Sequence, residues 1–225
     1  MSAEVFVVTI DGPAGAGKST TSRAVAERLG LHYLDSGALY RAVGLAALDA
    51  GIDPSDDAAL AGLLASVRIV AGEREGTVEI DGRLCERELR TPAVSQAASK
   101  ASAQPSVRDA LLGLQRAARR PPGTVAEGRD MGTVVFPDAD LKVFLDADDD
   151  ERARRRTAEL VGQVPDDELA EVRAQMAERD RRDRGRALSP LTPAPDAVVI
   201  DSTGLGLAAV VDRIAAEVKR RRGGD

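Results

Sequence analysis

The 225-residue chain has no tryptophan and no asparagine, one histidine (His32), one cysteine (Cys85) and few aromatics. One cysteine excludes an internal disulfide and fits a reducing compartment, so a cytoplasmic protein is expected. No apolar run approaches the ~20 residues that a bilayer-spanning helix needs, and no membrane partner is expected. The opening also lacks a basic stretch followed by a long apolar one, so no secretory signal is expected. The net charge of −6 argues against broad nucleic-acid binding. His32 falls in a strand-like run and Cys85 in a short β segment, and both read as structural, which leaves His- and Cys-based catalysis without a candidate. Lysine is scarce too: only four of the 31 basic residues are Lys. What remains is a globular composition, 43% apolar and 30% charged, long enough for a substantial core in one or two domains.

Against that background one octapeptide stands out. Gly12-Pro13-Ala14-Gly15-Ala16-Gly17-Lys18-Ser19 matches the phosphate-binding P-loop, G-x-x-x-x-G-K-[ST]. It follows the apolar run Val5 to Ile10 and precedes the helix-forming stretch from Thr20 to Leu29. Strand, glycine-rich turn and helix is the context the motif requires. Glycines let the backbone aim N–H groups at phosphate oxygens, and the helix adds the positive end of its dipole. In that motif Lys18 reaches the β- and γ-phosphates and Ser19 holds Mg²⁺. Guanine-reading P-loop GTPases usually carry Asn-Lys-x-Asp, which a chain without asparagine cannot supply.

Five short apolar segments, 5–10, 31–34, 124–127, 141–146 and 197–201, alternate with helical stretches. The fold class expected is α/β, a five-stranded parallel P-loop-type sheet flanked by helices. The runs ending at Asp146 and Asp201 each close on an acid at the strand end where such sheets bind ligands; a loop or cap role for each acid is the competing interpretation. Residues 38–50 and 57–65 are expected to be helical. Then Val67–Ala71, Thr77–Ile80 and Leu84–Cys85 read as a small β insert with a turn at Asp81-Gly82. Helices are expected again over 91–105 and 106–120, the second opened by a Ser106/Asp109 box, and over 206–222.

Three further stretches carry candidate chemistry. Asp35 to Arg41 opens a helix after the second strand, with Arg41 able to grip a phosphate or simply to decorate a capped helix. Glu127 to Thr133 reads as a tight, exposed loop at the ligand edge, or as an ordinary turn with an Arg129–Asp130 pair. Residues 151–187 hold ten Arg and no Lys. Within them Arg179, Asp183 and Arg186 share one helical face, as in a closing lid or in a solvated, self-paired helix.

Taken together, these stretches resemble the bacterial-type cytidylate kinases, a family of P-loop nucleoside monophosphate kinases. The likeness covers nearly the whole chain and rests on Ile10 to Thr20, Leu34 to Gly37 with Tyr40-Arg41, Gly128 to Pro137, Glu178 to Arg184 and Asp201 to Thr203. It implies ATP-dependent phosphorylation of CMP and dCMP by a monomer, with Mg²⁺. It implies an ATP site at Gly12 to Thr20 with Arg152 and Arg156. For CMP it implies Ser36, Tyr40, Arg41, Ser99, Arg108, Arg129, Asp130, Arg179 and Asp183, with Lys18, Arg129, Arg179 and Arg186 at the transferring phosphoryl group. Asp130 would accept the cytosine amine and repel the uracil carbonyl. The metal would rest on Ser19, with Asp35 behind it; Asp35, Glu127 and Asp146 are the acids considered for it. The expected organisation is a core of 1–37, 121–150 and 188–225, a CMP-binding region of 38–120 and a lid of 151–187.

Overall fold

A computed structural model describes residues 5–72, 76–161 and 166–223, without the side chains of 159–161, 166–169 and 171. Gly162 and Pro165, which by residue type are expected to act as hinges of the 151–187 lid, lie outside the described residues. In chain order the elements are β1 (Phe6–Asp11), α1 (Lys18–Leu29), β2 (His32–Asp35), α2 (Ser36–Asp49), α3 (Asp57–Ser66), β3 (Ile69–Ala71), β4 (Val78–Ile80) and β5 (Arg83–Cys85). They continue with α4 (Pro92–Ala101), α5 (Pro105–Ala117), β6 (Gly123–Gly128), β7 (Leu141–Asp146), α6 (Asp149–Val161), α7 (Asp166–Gly185), β8 (Val198–Asp201) and α8 (Leu207–Arg221).

The five expected apolar runs form one sheet in the order β2-β6-β1-β7-β8. β1 runs parallel to β6 and β7, and β7 parallel to β8. β1, β6 and β7 are buried almost throughout, which explains their continuous rather than alternating apolar character. Val8, Ile10 and Val143 from the sheet pack with Val25 of α1 and with Val211 and Ile214 of α8. Gly30 ends α1 in a left-handed conformation, with the Leu31 N–H reaching back to the Ala26 carbonyl.

The chain divides into two compact units, Met1–Tyr33 with Arg120–Asp225, and Leu34–Arg119. In the second unit, α2 begins under a cap in which the Asp35 carboxylate accepts the Ala38 N–H at 2.9 Å, worth about 1 kcal/mol. α2 and α4 pack closely at Gly44, where a Cβ would lie 2.7 Å from the Ala98 nitrogen. β3, β4 and β5 form a separate antiparallel sheet, the expected insert. Its second turn places Asp81 at φ 51° and Gly82 at φ 78°, the paired positive values of a tight hairpin.

Two local expectations are corrected. The first of the two helices expected over 91–120 ends at Ala101 rather than 105, and the second, α5, runs Pro105–Ala117, starting on a proline that suits a first turn because it has no N–H to lose. Ser106 does not box with Asp109; its N–H and hydroxyl both donate to Asp57, at 3.0 and 2.6 Å, tying α5 to α3.

Candidate functional site

In the larger unit, the loop after β1 wraps tightly because its glycines leave room. At Gly15 (φ 72°) a Cβ would lie 2.5 Å from the Arg152 carbonyl oxygen and 2.6 Å from Met176 Cε. Gly17 sets the start of α1 from a left-handed conformation, so the first α1 N–H groups face the loop. Lys18 is buried and donates to the Pro13 carbonyl at 2.6 Å. Burial and the neighbouring Arg129 guanidinium push its ammonium down to about 7, against the pull of Glu127. Ser19 and Thr20 are exposed.

The stretch after β6 is not the exposed loop expected from its glycines. Asp130, Met131 and Gly132 are buried. Residues Met131–Val135 form a widened helical turn in which the Val135 and Phe136 N–H groups reach five residues back. Asp11 anchors this turn: its carboxylate accepts the Met131 and Gly132 N–H groups at 2.9 and 2.8 Å. Arg129 pairs with Asp183 at 2.9 Å rather than with Asp130.

Asp183 is the centre of that charge cluster. Its carboxylate is fully buried and pairs with Arg129, Arg179 and Arg186. Burial opposes its ionisation, but the three guanidiniums outweigh burial and hold its carboxyl below the usual range. The 151–187 segment has more apolar anchorage than its composition suggested. Ala153 and Met176 form a small buried cluster with Ala14 of the P-loop.

Arg152 is buried in a polar cage rather than aimed at open space. It donates to the Ala14 carbonyl at 2.8 Å and to Asp180 and Asp149 at 2.5 Å each. Arg155, one turn on, donates to the Ser202 carbonyl at 2.8 Å and to its hydroxyl at 2.9 Å. It lines a cavity of ≈ 230 Å³ with Ala16, Gly17, Thr20, Ser202, Leu205 and Leu207. This cavity was missed in sequence. Its lining residues Ser202 and Leu205 follow β8; Asp201 accepts the Thr203 N–H and Asp146 the Ala147 N–H, so both serve turns. Arg156 is half-buried in α6.

The remaining expected residues lie in the smaller unit. Ser36 and Tyr40 are buried on α2, and Arg41 pairs with Asp35 at 2.8 Å. The Arg108 guanidinium carbon lies 5.9 Å from the Tyr40 ring centroid. The Ser99 hydroxyl is buried and has no hydrogen-bond partner among the described residues, an arrangement that costs free energy unless a ligand supplies the bond.

Of the acids considered for a metal, Asp35 is committed to Ala38 and Arg41, and Glu127 accepts the Tyr33 hydroxyl. The exposed Ser19 hydroxyl beside the loop amides suits an ion that keeps most of its coordination for phosphates and water.

A family model described as cytidylate kinase matches residues 8–220. The cytidylate kinase of Methylococcus capsulatus is 51% identical over 211 residues, 91% of this chain and 93% of that protein. That of Klebsiella pneumoniae is 49% identical over 215 residues, 95% of each chain. In fold alone, the crystal structure of an uncharacterized protein from Eubacterium ventriosum is similar at TM-score 0.54 and 12% identity, covering 95% of this chain and 98% of that one.

Proposed function

Because the chain belongs to the cytidylate kinase family, we propose that it transfers the γ-phosphoryl group of ATP to CMP and dCMP, giving ADP with CDP or dCDP in pyrimidine nucleotide metabolism. The observation that carries this is the gathering of cations at the P-loop: burial, Arg129 and Arg179 all work against the charge on Lys18. Such a cluster is unfavourable by itself and favourable around a phosphoryl group in transfer.

Each residue then has a physical task. The loop from Gly12 to Thr20 cradles the ATP phosphates with its N–H groups, and Lys18 leaves the Pro13 carbonyl for a phosphate oxygen. The ATP base enters the cavity lined by Arg155, Leu205 and Leu207, where a guanidinium can stack on a flat ring. Ser36, Tyr40 and Arg41 take the CMP phosphate with Arg129. Ser99, Arg108 and Asp130 read cytosine; the unpartnered Ser99 hydroxyl supports this. Arg179 and Asp183 hold the ribose or phosphates. Arg186 gives up Asp183 as the phosphoryl group develops charge.

Mg²⁺ suits the Ser19 site and, when bound, neutralises charge on the transferring phosphates. Residues 151–187 act as the lid that excludes water from the transfer. The enzyme works as a monomer in the cytoplasm; among the described residues no helix is long and apolar enough to cross a membrane.

The test is ADP release from ATP and Mg²⁺ with CMP, dCMP, UMP, AMP and shikimate offered in turn. CMP and dCMP should be turned over fastest. No ADP dependent on either would end the proposal, and faster use of AMP would end the base assignment.

A further inference from the structure

Two buried, oppositely charged side chains outside the acceptor machinery close on the same P-loop peptide. Asp180 of α7 accepts the Ala14 N–H at 3.1 Å, and Arg152 of α6 donates to the Ala14 carbonyl at 2.8 Å. The two side chains are joined to each other at 2.5 Å, with only 5% and 3% of their surfaces exposed. Arg152 also donates to the Ala147 carbonyl at 3.2 Å, just beyond β7. Both polar groups of the residue before Gly15 are therefore fixed from outside the loop. The packing repeats the arrangement: Gly15 lies directly under the Arg152 carbonyl and Met176.

We infer that Arg152 and Asp180 are a positioning pair for the ATP site, holding the P-loop in its phosphate-binding shape and linking it through α7 to Arg179 and Asp183. A guanidinium enclosed by Asp180, Asp149 and two carbonyls has no face left for a nucleotide, whereas Arg155 opens onto the cavity. Arg152 acts on ATP through the loop. Asp180 sits between Arg179 and Asp183 on the same helix, so displacing the loop displaces the side chains of the transfer site. The inference rests on the proposal that this loop takes ATP.

A pair of this kind has a recognisable energetic signature. Removing one member strands a buried charge, which is costly, whereas replacing both with apolar residues of similar size is often tolerated. The losses are then strongly non-additive.

The experiment measures dissociation constants for ADP and for CMP separately by calorimetry. It compares wild type, Asp180→Asn, Arg152→Met and the double variant Arg152→Met/Asp180→Leu, and records hydrogen exchange of Gly12–Ser19. Each single variant should weaken ADP binding tenfold or more and CMP binding by a clearly smaller factor, the part transmitted through Arg179 and Asp183, and should speed exchange of the loop amides. The double variant should also weaken ADP binding tenfold or more, because Ala14 loses both of its holders, but by no more than the worse single one. Loss confined to variants lacking Arg152, with Asp180→Asn unchanged, would mean that Arg152 touches the nucleotide itself and would overturn the inference. So would ADP binding within threefold of wild type in the double variant, which tests the pair even if a single variant does not fold. Failure of wild-type protein to bind ADP would instead overturn the ATP-site assignment.

Discussion

Lys18 donates its side-chain N–H to the backbone carbonyl of Pro13 at 2.6 Å, folding the P-loop ammonium back onto its own loop. The contact satisfies a buried donor. One such bond adds only about 1 kcal/mol to stability, so the charge of Lys18 matters more to the reaction than to the fold.

Lys18→Ala should therefore keep the fold and nearly abolish turnover. The charge matters most as the transition state forms, and removing one such stabiliser usually lowers kcat on the order of 10²–10³. Circular dichroism and steady-state rates check both parts. A variant within threefold of wild type would show that Lys18 is misassigned.

Asp130→Ala should erode discrimination more than it slows bound CMP. Asp130 is 2% exposed, and losing a buried hydrogen-bond partner costs about 1–3 kcal/mol. The ratio of kcat/KM for CMP over UMP should fall by about tenfold or more, following from that cost. An unchanged ratio would return Asp130 to a purely structural role in its turn.

Asp11 predicts a pH dependence of stability. Burial lifts its carboxyl to about 7, although the N–H groups of Gly132 and Met131 pull it down; the ordinary value is 3.8. Between those values the folded protein holds a proton that the unfolded chain has released. The stability Asp11 contributes thus falls as pH rises from about 4 to about 7 and is constant above. Asp11→Asn removes this titration and leaves one N–H of the turn poorly paired. The Tm advantage of wild type over the variant should shrink steadily from pH 5 to pH 7.5. A constant difference would show that Asp11 does not titrate in that window.

The Asp183 cluster predicts a kinetic split. Arg186 is only 6% exposed and paired with Asp183, so breaking that pair is worthwhile only when a phosphoryl group replaces the carboxylate. Arg186→Ala should depress kcat more than it weakens CMP binding. Hydrogen exchange over 151–187 should slow in a complex with a bisubstrate analogue. Equal protection with and without the analogue would make the segment a static helical face.

How much of this was legible in the sequence depended on whether a signal was local. The P-loop, the five strands and the Asp81-Gly82 hairpin follow from glycine positions and apolar runs. The Asp11 anchor did not: its partners Met131 and Gly132 lie 120 and 121 residues away, and an acid ending a strand looks the same whether it faces water or backbone. Spacing put Arg179, Asp183 and Arg186 on one face but could not reveal that Arg129 joins them. Arg152 and Arg155 are neighbours in an Arg-rich helix, and only packing separates the caged one from the one at the cavity. Ser106 looked like a local cap because Asp57, its partner, lies 49 residues away.

The most direct test of phosphoryl transfer to CMP is product identification by ³¹P NMR, with enzyme, Mg²⁺-ATP and equimolar CMP in one tube. The account predicts that the γ-phosphate signal of ATP declines while CDP and ADP β-phosphate signals grow together. Free phosphate should stay at its no-enzyme level. Growth of free phosphate and ADP without CDP would show a nucleotide hydrolase and contradict the account.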